Sequence, residues 1–235
     1  MSHAWFSKGS NHDKVADMTE TLSIPSEIRP AELAAYLAAR MCHDFISPAS
    51  AIVSGLDLLE DPTTSDMRDE AMALIAGSAR KLSDLLLFTR LAFGAAASAE
   101  SFDPRELEKL AQGVFGHMRA ELDWRVDLVV ASKPVARTLL NLAQIAGAAL
   151  PMGGQAIVAA AQKGDQVAIC VEANGARARL RPEVLAGLRG EGAGDGLHGH
   201  WVQARYVSLF VADAGGELDA EAVEEKVTLR AMIPA

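Results

Sequence analysis

Two apolar stripes of helical period, separated by a short breaker, constrain this chain more than any other feature. From Ala31 to Leu59, the residues Leu33, Leu37, Met41, Phe45, Pro48, Ile52, Leu56 and Leu59 recur at spacings of three and four, which is one stripe on a long helix. Asp61-Pro62-Thr63-Thr64-Ser65-Asp66 is a compact turn that also supplies N-cap candidates. A second stripe passes through Met67, Ala71, Leu74, Ser78, Leu82, Leu85, Thr89 and Ala92 and stops at Gly94. Two helices of roughly 40 Å each, at about 1.5 Å per residue, therefore fold back as a hairpin over residues 30–95. A lone hairpin exposes its stripes. They can be buried against a second hairpin, as a four-helix bundle in a homodimer, or against the rest of the same chain. The homodimer is the expectation, because helices this long outrun a small neighbouring domain.

On either side the pattern changes. Residues 1–29 are polar, carry Pro25 and show no sustained period, and read as a disordered leader. Gly94-Ala95-Ala96-Ala97-Ser98-Ala99 is a linker-like break. Beyond it, residues 101–235 alternate between the helical and the strand period. Asp103-Pro104-Arg105-Glu106 caps a helix running to about Met118. A strand is expected over Trp124–Val130 and a helix over Pro134–Leu150. Two strands, Ala156–Ala161 and Gln166–Glu172, flank the Lys163-Gly164-Asp165 turn. A helix near Pro182–Leu188, a Gly-rich loop over Gly190–Gly199, a helix over Trp201–Ala214 and a strand over Lys226–Ile233 complete the chain. Helices on one face of a largely antiparallel sheet make an α/β sandwich.

Charge and composition narrow the function. Lys and Arg number 22 against 31 Asp and Glu, a formal net charge of −9, which argues against nucleic acid or an anionic membrane as the main partner. Cys42 and Cys170 make no disulfide framework and have no metal-ligand spacing. No stretch approaches the roughly 18 uninterrupted apolar residues of a membrane span, and the N-terminus lacks the apolar core of a secretory signal. A cytoplasmic protein is expected.

The residue that carries chemistry is His43. It lies two positions from both Met41 and Phe45, so at about 100° per residue it projects roughly 200° from the buried stripe. Ala39, Ser47, Ser50 and Ser54, its neighbours along that face, are all small. The imidazole thus stands on a helix face cleared of bulk, where another protein's active site can approach. Its nitrogen is nucleophilic and unprotonated near neutral pH. Asp44 can tune the ring or shuttle its proton, or can be a plain solvated acid. Pro48 inside a helix removes a hydrogen bond and costs about 3 kcal/mol, which marks either a functional kink or, with Ser47, the cap of a new helix. On spacing alone, a surface histidine without a role is the other reading.

His43-Asp44-Phe45-Ile46-Ser47-Pro48 resembles the H-box of sensor histidine kinases, written His-Asp/Glu-x-x-x-Pro. There the histidine is phosphorylated on the first helix of a dimeric hairpin. The second half resembles the Bergerat-type ATP-binding domain of the same kinases. Asn141-Leu142 sits where the N-box begins, Asn174-Gly175 in the first glycine box, Gly194-Asp195-Gly196-Leu197 in the second, and Gly215-Gly216 at the close of its helix. The departures matter more. The family's magnesium-holding asparagine falls on Ile145, its adenine-reading aspartate on Ala173, and a glycine on Arg177, while His198 breaks the second glycine box. An isoleucine cannot hold Mg²⁺, and an alanine cannot accept the adenine amino proton.

A phosphorylatable histidine beside a degenerate Bergerat domain resembles the ChpT-type histidine phosphotransferases of the alphaproteobacterial cell-cycle phosphorelay. The run Cys42–Asp57 looks like that family's signature, and the runs Arg105–Gly113 and Arg179–Leu188 resemble its recurrent stretches. The resemblance covers the chain from about residue 30 to the end. It implies a relay in which the receiver domain of a hybrid histidine kinase donates its aspartyl phosphate to His43. The phosphohistidine then passes the group to the aspartate of response regulators, which in the family include CtrA and CpdR. It further implies His43 as phosphoacceptor, Asp44 as modulator, and docking through Arg40, Ile46, Ser47, Ser50 and Ser54. No cofactor of its own is implied, with Mg²⁺ supplied by the partner receiver. Two rivals follow from the same residues: an atypical ATP-dependent histidine kinase, and a non-catalytic dimeric docking scaffold. His198 and His200 stand close enough to suggest a metal, but no further ligand is placed with them.

Overall fold

The computed structural model describes residues 28–94, 100–192 and 198–235. The expected leader up to residue 27, the break at residues 95–99, the second glycine box and the side chain of His198 lie outside the described residues. Helix α1 spans Pro30–Glu60 and α2 spans Arg68–Ala92, joined by a 3₁₀ turn over Pro62–Met67. Asp61 starts that turn. Its Oδ1 accepts from the Thr63 backbone N–H at 2.8 Å and from the Thr63 hydroxyl at 2.6 Å. Ser47-Pro48 does not cap a new helix, because α1 runs unbroken through Pro48, which is buried. The close pairing of the two helices depends on Gly55. A Cβ there would stand 2.6 Å from Ile75 Cγ1 and 3.2 Å from the Ala71 carbonyl oxygen.

After the hairpin come β1 (Ser101–Phe102), α3 (Pro104–Phe115), β2 (Ala120–Asp127), β3 (Ala131–Ser132) and α4 (Lys133–Ala148). Then follow β4 (Gly154–Lys163), β5 (Gln166–Asn174), α5 (Pro182–Leu188), α6 (His198–Asp213), β6 (Glu217–Val223) and β7 (Lys226–Pro234). The main sheet has the order β2-β4-β5-β7-β6. Only β2 and β4 run parallel. Along β5 burial alternates strictly: Val167, Ile169, Val171 and Ala173 face the core, while Ala168, Cys170 and Glu172 do not. That alternation is the mark of an antiparallel sheet covered on one face, here by α4 and α6, as expected.

Several elements differ from the sequence expectation, among them the short strands β1 and β3, which pair with each other. The strand expected over Trp124–Val130 runs instead over Ala120–Asp127, because pairing with β4 starts at Ala120↔Gly154 and ends at Asp127↔Ala161. Val129 is left 98% exposed. An extra strand, β6, lies at the sheet edge beside β7. Its Glu217, Asp219 and Glu221 conceal the alternation carried by Leu218 and Ala220. Helix α6 begins at His198 rather than Trp201.

At one end the hairpin buries its stripes against the rest of the same chain, one of the two ways the sequence leaves open. At the open end, Phe88 and Ala92 of α2 join the core of the α/β domain at 1% and 0% exposure, against α3 and α4, while α6 packs on α1. Toward the turn, Val53, Leu56, Met72 and Leu74 stay exposed. Among the described residues no helix is long and apolar enough to cross a membrane.

Candidate functional site

His43 stands on the outer face of α1 with its side chain 85% exposed, where helical geometry puts it. Its Nδ1 lies 3.3 Å from Asp44 Oδ1. Asp44 does not hang free. Arg40, one turn earlier, donates from Nε to Asp44 Oδ2 at 2.9 Å, an i,i+4 pair on one helix face. In the tautomer that donates from Nδ1 to Asp44, the ring presents the Nε2 lone pair to solvent.

Arg40, expected as a docking residue, is already engaged within the chain. Its side chain is only 18% exposed. Its second arm donates to the Gly199 carbonyl at 2.7 Å and lies 3.5 Å from His200 Nδ1, so α6 grips the histidine-bearing helix through it. His200 is held below its ordinary pKa, first by burial and then by the charges of Arg40 and Arg181. Ile46 is 62% exposed beside His43, and Ser47, Ser50 and Ser54 are exposed along the same helix. Cys42 is exposed.

A cavity of about 290 Å³ opens next to His43, lined by Arg40, Asp44, Ser47, Lys81, His117 and Gln144 among others. His117, just beyond α3, places Nε2 2.8 Å from Asp84 Oδ2 on α2. Neither Lys81 nor His117 was singled out from the sequence. Both reach the site from other elements, and only packing brings them there.

A second cavity shares Arg40 and Gln144 with the first. Ile145 and His200 border a space of about 140 Å³ with Arg40, Gln144, Arg179 and Arg181. Ile145 is 6% exposed and Ala173 is fully buried, and neither side chain has an atom to hold a metal or an adenine. These residues do not fit Mg-ATP. Asn141, placed by resemblance at the start of the N-box, is turned to another task. It is 1% exposed, and its Nδ2 donates to the Ala92 carbonyl at 3.1 Å and the Arg137 carbonyl at 3.0 Å. Its Oδ1 accepts from Gln203 Nε2 at 3.2 Å. Asn141 thereby bolts the end of α2 to α4 and α6. The Gly-rich loop begins after α5 rather than after a strand. Among the described residues no group of three or more metal-ligating side chains converges. Trp201 is buried at 3% exposure, whereas Trp124 is half-buried in a groove beside α3.

Comparison with known proteins adds identity to this geometry. A family model described as histidine phosphotransferase C-terminal domain matches residues 104–226. The protein phosphotransferase ChpT of Brucella abortus (strain 2308) is 33% identical over 211 residues, covering 89% of this chain and 100% of that protein. A solved bacterial phosphotransferase superposes with a TM-score of 0.78 at 32% identity, over 87% of this chain and 98% of the other. The catalytic domain of histidine kinase ThkA aligns with a TM-score of 0.46 at 19% identity, over 57% of this chain and 93% of its own.

Proposed function

This chain belongs to the ChpT-like histidine phosphotransferases, and from that premise we propose that it relays a phosphoryl group between receiver domains through His43. The donor is the aspartyl phosphate of a hybrid histidine kinase, and the acceptor is the aspartate of a response regulator of the CtrA or CpdR kind. The observation that carries the reading is the exposed His43 ring, whose Nδ1 is turned to Asp44 and whose Nε2 has no partner among the described residues. In the forward step the Nε2 lone pair attacks phosphorus in line. The N–P bond forms as the acyl O–P bond breaks, and the donor carboxylate leaves with the electron pair. The second receiver reverses these events with its own carboxylate as nucleophile. Asp44 accepts from Nδ1–H and stabilises the positive charge that the ring gains during attack, while Arg40 fixes Asp44.

Most of the remaining work is positioning, with magnesium held in the receiver's acidic pocket rather than by this chain. Ile46, exposed beside the histidine, supplies an apolar docking contact, and Ser47, Ser50 and Ser54 leave clearance for the incoming domain. Arg40, already held within the chain, acts in docking through the geometry it imposes. The exposed Val53, Leu56, Met72 and Leu74 near the hairpin turn support a homodimer joined as a four-helix bundle, with two His43 sites. Ile145 and Ala173 support a degenerate Bergerat domain that binds no ATP. The relay is placed in the cytoplasm, where its receiver partners reside.

The test is phosphoryl uptake by the purified protein from a labelled phospho-receiver, compared with Mg-ATP, with His43→Ala alongside. Acid-labile label taken only from the receiver, and lost in the variant, is the expected result. Label from Mg-ATP alone indicates a kinase. No label from either source, with the receiver shown active on another acceptor, indicates a docking scaffold.

A further inference from the structure

A phosphoryl group on Nε2 of His43 brings up to about two negative charges to a ring already touching the Asp44 carboxylate. The surrounding cavity holds three cationic or potentially cationic side chains besides His43 itself: Arg40, Lys81 and His117. Two are engaged. Arg40 is paired with Asp44, and His117 with Asp84. Lys81, half-buried on α2, makes no ion pair or side-chain hydrogen bond among the described residues.

The hairpin register places it within reach. Gly55 of α1 faces Ala71 and Ile75 of α2. For antiparallel helices of equal rise, the α2 residue level with His43 is then close to Leu85, which lines the same cavity. Lys81 lies one turn away, about 6 Å along the axis at about 1.5 Å per residue. Its flexible four-carbon stem covers that distance, and Ser47, at its own level, is too small to block the path.

Resting on the reading of His43 as phosphoacceptor, we propose that Lys81 is the residue that receives the phosphoryl group carried there. Its ammonium donates to a phosphoryl oxygen and offsets the repulsion from Asp44. No bond to Lys81 forms or breaks in the transfer. The lysine favours the dianionic phosphoryl group over its protonated form, so the phosphoryl titration reports it directly.

The experiment phosphorylates the full chain chemically with phosphoramidate, whose P–N bond breaks with loss of ammonia as the His43 N–P bond forms. The adduct is then followed by ³¹P NMR against pH in the wild type, Lys81→Met, Lys81→Arg and His43→Ala. The His43-dependent resonance is expected to titrate about half a unit to one unit higher in Lys81→Met than in the wild type. Lys81→Arg should stay close to the wild type. Lys81→Gln serves the same purpose should the methionine variant fail to fold. Equal midpoints in the wild type and the neutral variants overturn the role of Lys81 while leaving His43 as phosphoacceptor. A wild-type spectrum no different from that of His43→Ala overturns the reading of His43, and the inference with it.

Discussion

Replacing Asn141 by Ala tests whether a residue at the family's nucleotide-binding position has become a structural bolt. The side chain is 1% exposed and makes three hydrogen bonds: to the carbonyls of Ala92 and Arg137 and from Gln203. The three losses are unequal. The Arg137 carbonyl keeps its partner within α4, and Gln203 Nε2 keeps Gln144 Oε1 at 2.6 Å. The Ala92 carbonyl has no such reserve among the described residues. It belongs to the last turn of α2, where carbonyls have no partner within the helix, and Ala92 is fully buried. An orphaned buried acceptor costs about 1–3 kcal/mol, and the weakened Gln203 contact adds to it, so about 2–3 kcal/mol in all is expected. At about 2–4 °C per kcal/mol for a chain of this size, Tm should fall by about 5–10 °C. Thermal unfolding followed by circular dichroism reads the effect, with Mg-ATP added in parallel samples. A fall of less than about 2 °C refutes the bolt. A rise of wild-type Tm on adding Mg-ATP, absent from Asn141→Ala, shows that the asparagine still serves a nucleotide.

Two further perturbations address the union of hairpin and α/β domain. Phe88 is 1% exposed within the shared core, so Phe88→Ala should cost about 3–5 kcal/mol in urea unfolding; a cost under about 1 kcal/mol means the hairpin end is not part of that core. His200 titrates below its ordinary value of 6.5 in the folded chain, first through burial and then through Arg40 and Arg181. The unfolded chain therefore binds the proton more readily, so stability is fully present above about pH 6.5 and declines as pH falls from there toward the folded pKa. His200→Gln should flatten Tm across that window, and an unchanged pH profile in the variant removes His200 as the cause.

How far each part was legible follows from the range of the forces that set it. The hairpin was readable because Leu33 through Leu59 and Met67 through Ala92 repeat at the helix period, and period is a local property. The Asp61 cap and the Asp103-Pro104 start were readable for the same reason. Strand β6 escaped because its core-facing Leu218 and Ala220 are outnumbered by acids that an edge strand tolerates. The limits of β2 escaped because its register is set by β4, and nothing in Trp124–Val130 itself marks where that partner ends.

The same division runs through the site. The exposure of His43 and its adjacency to Asp44 are determined within a few residues of one helix, so the sequence alone sufficed to place them. The ion pair of Arg40 with Asp44 is equally local, but it was not singled out from the sequence. The grip of Arg40 on Gly199, the entry of Lys81 and His117 into the His43 cavity, and the bond from Asn141 to Ala92 join residues distant along the chain. No period announces such contacts. They exist because the α/β domain packs on the open end of the hairpin and brings together residues far apart along the chain, and burial there favours partners for polar groups such as Asn141.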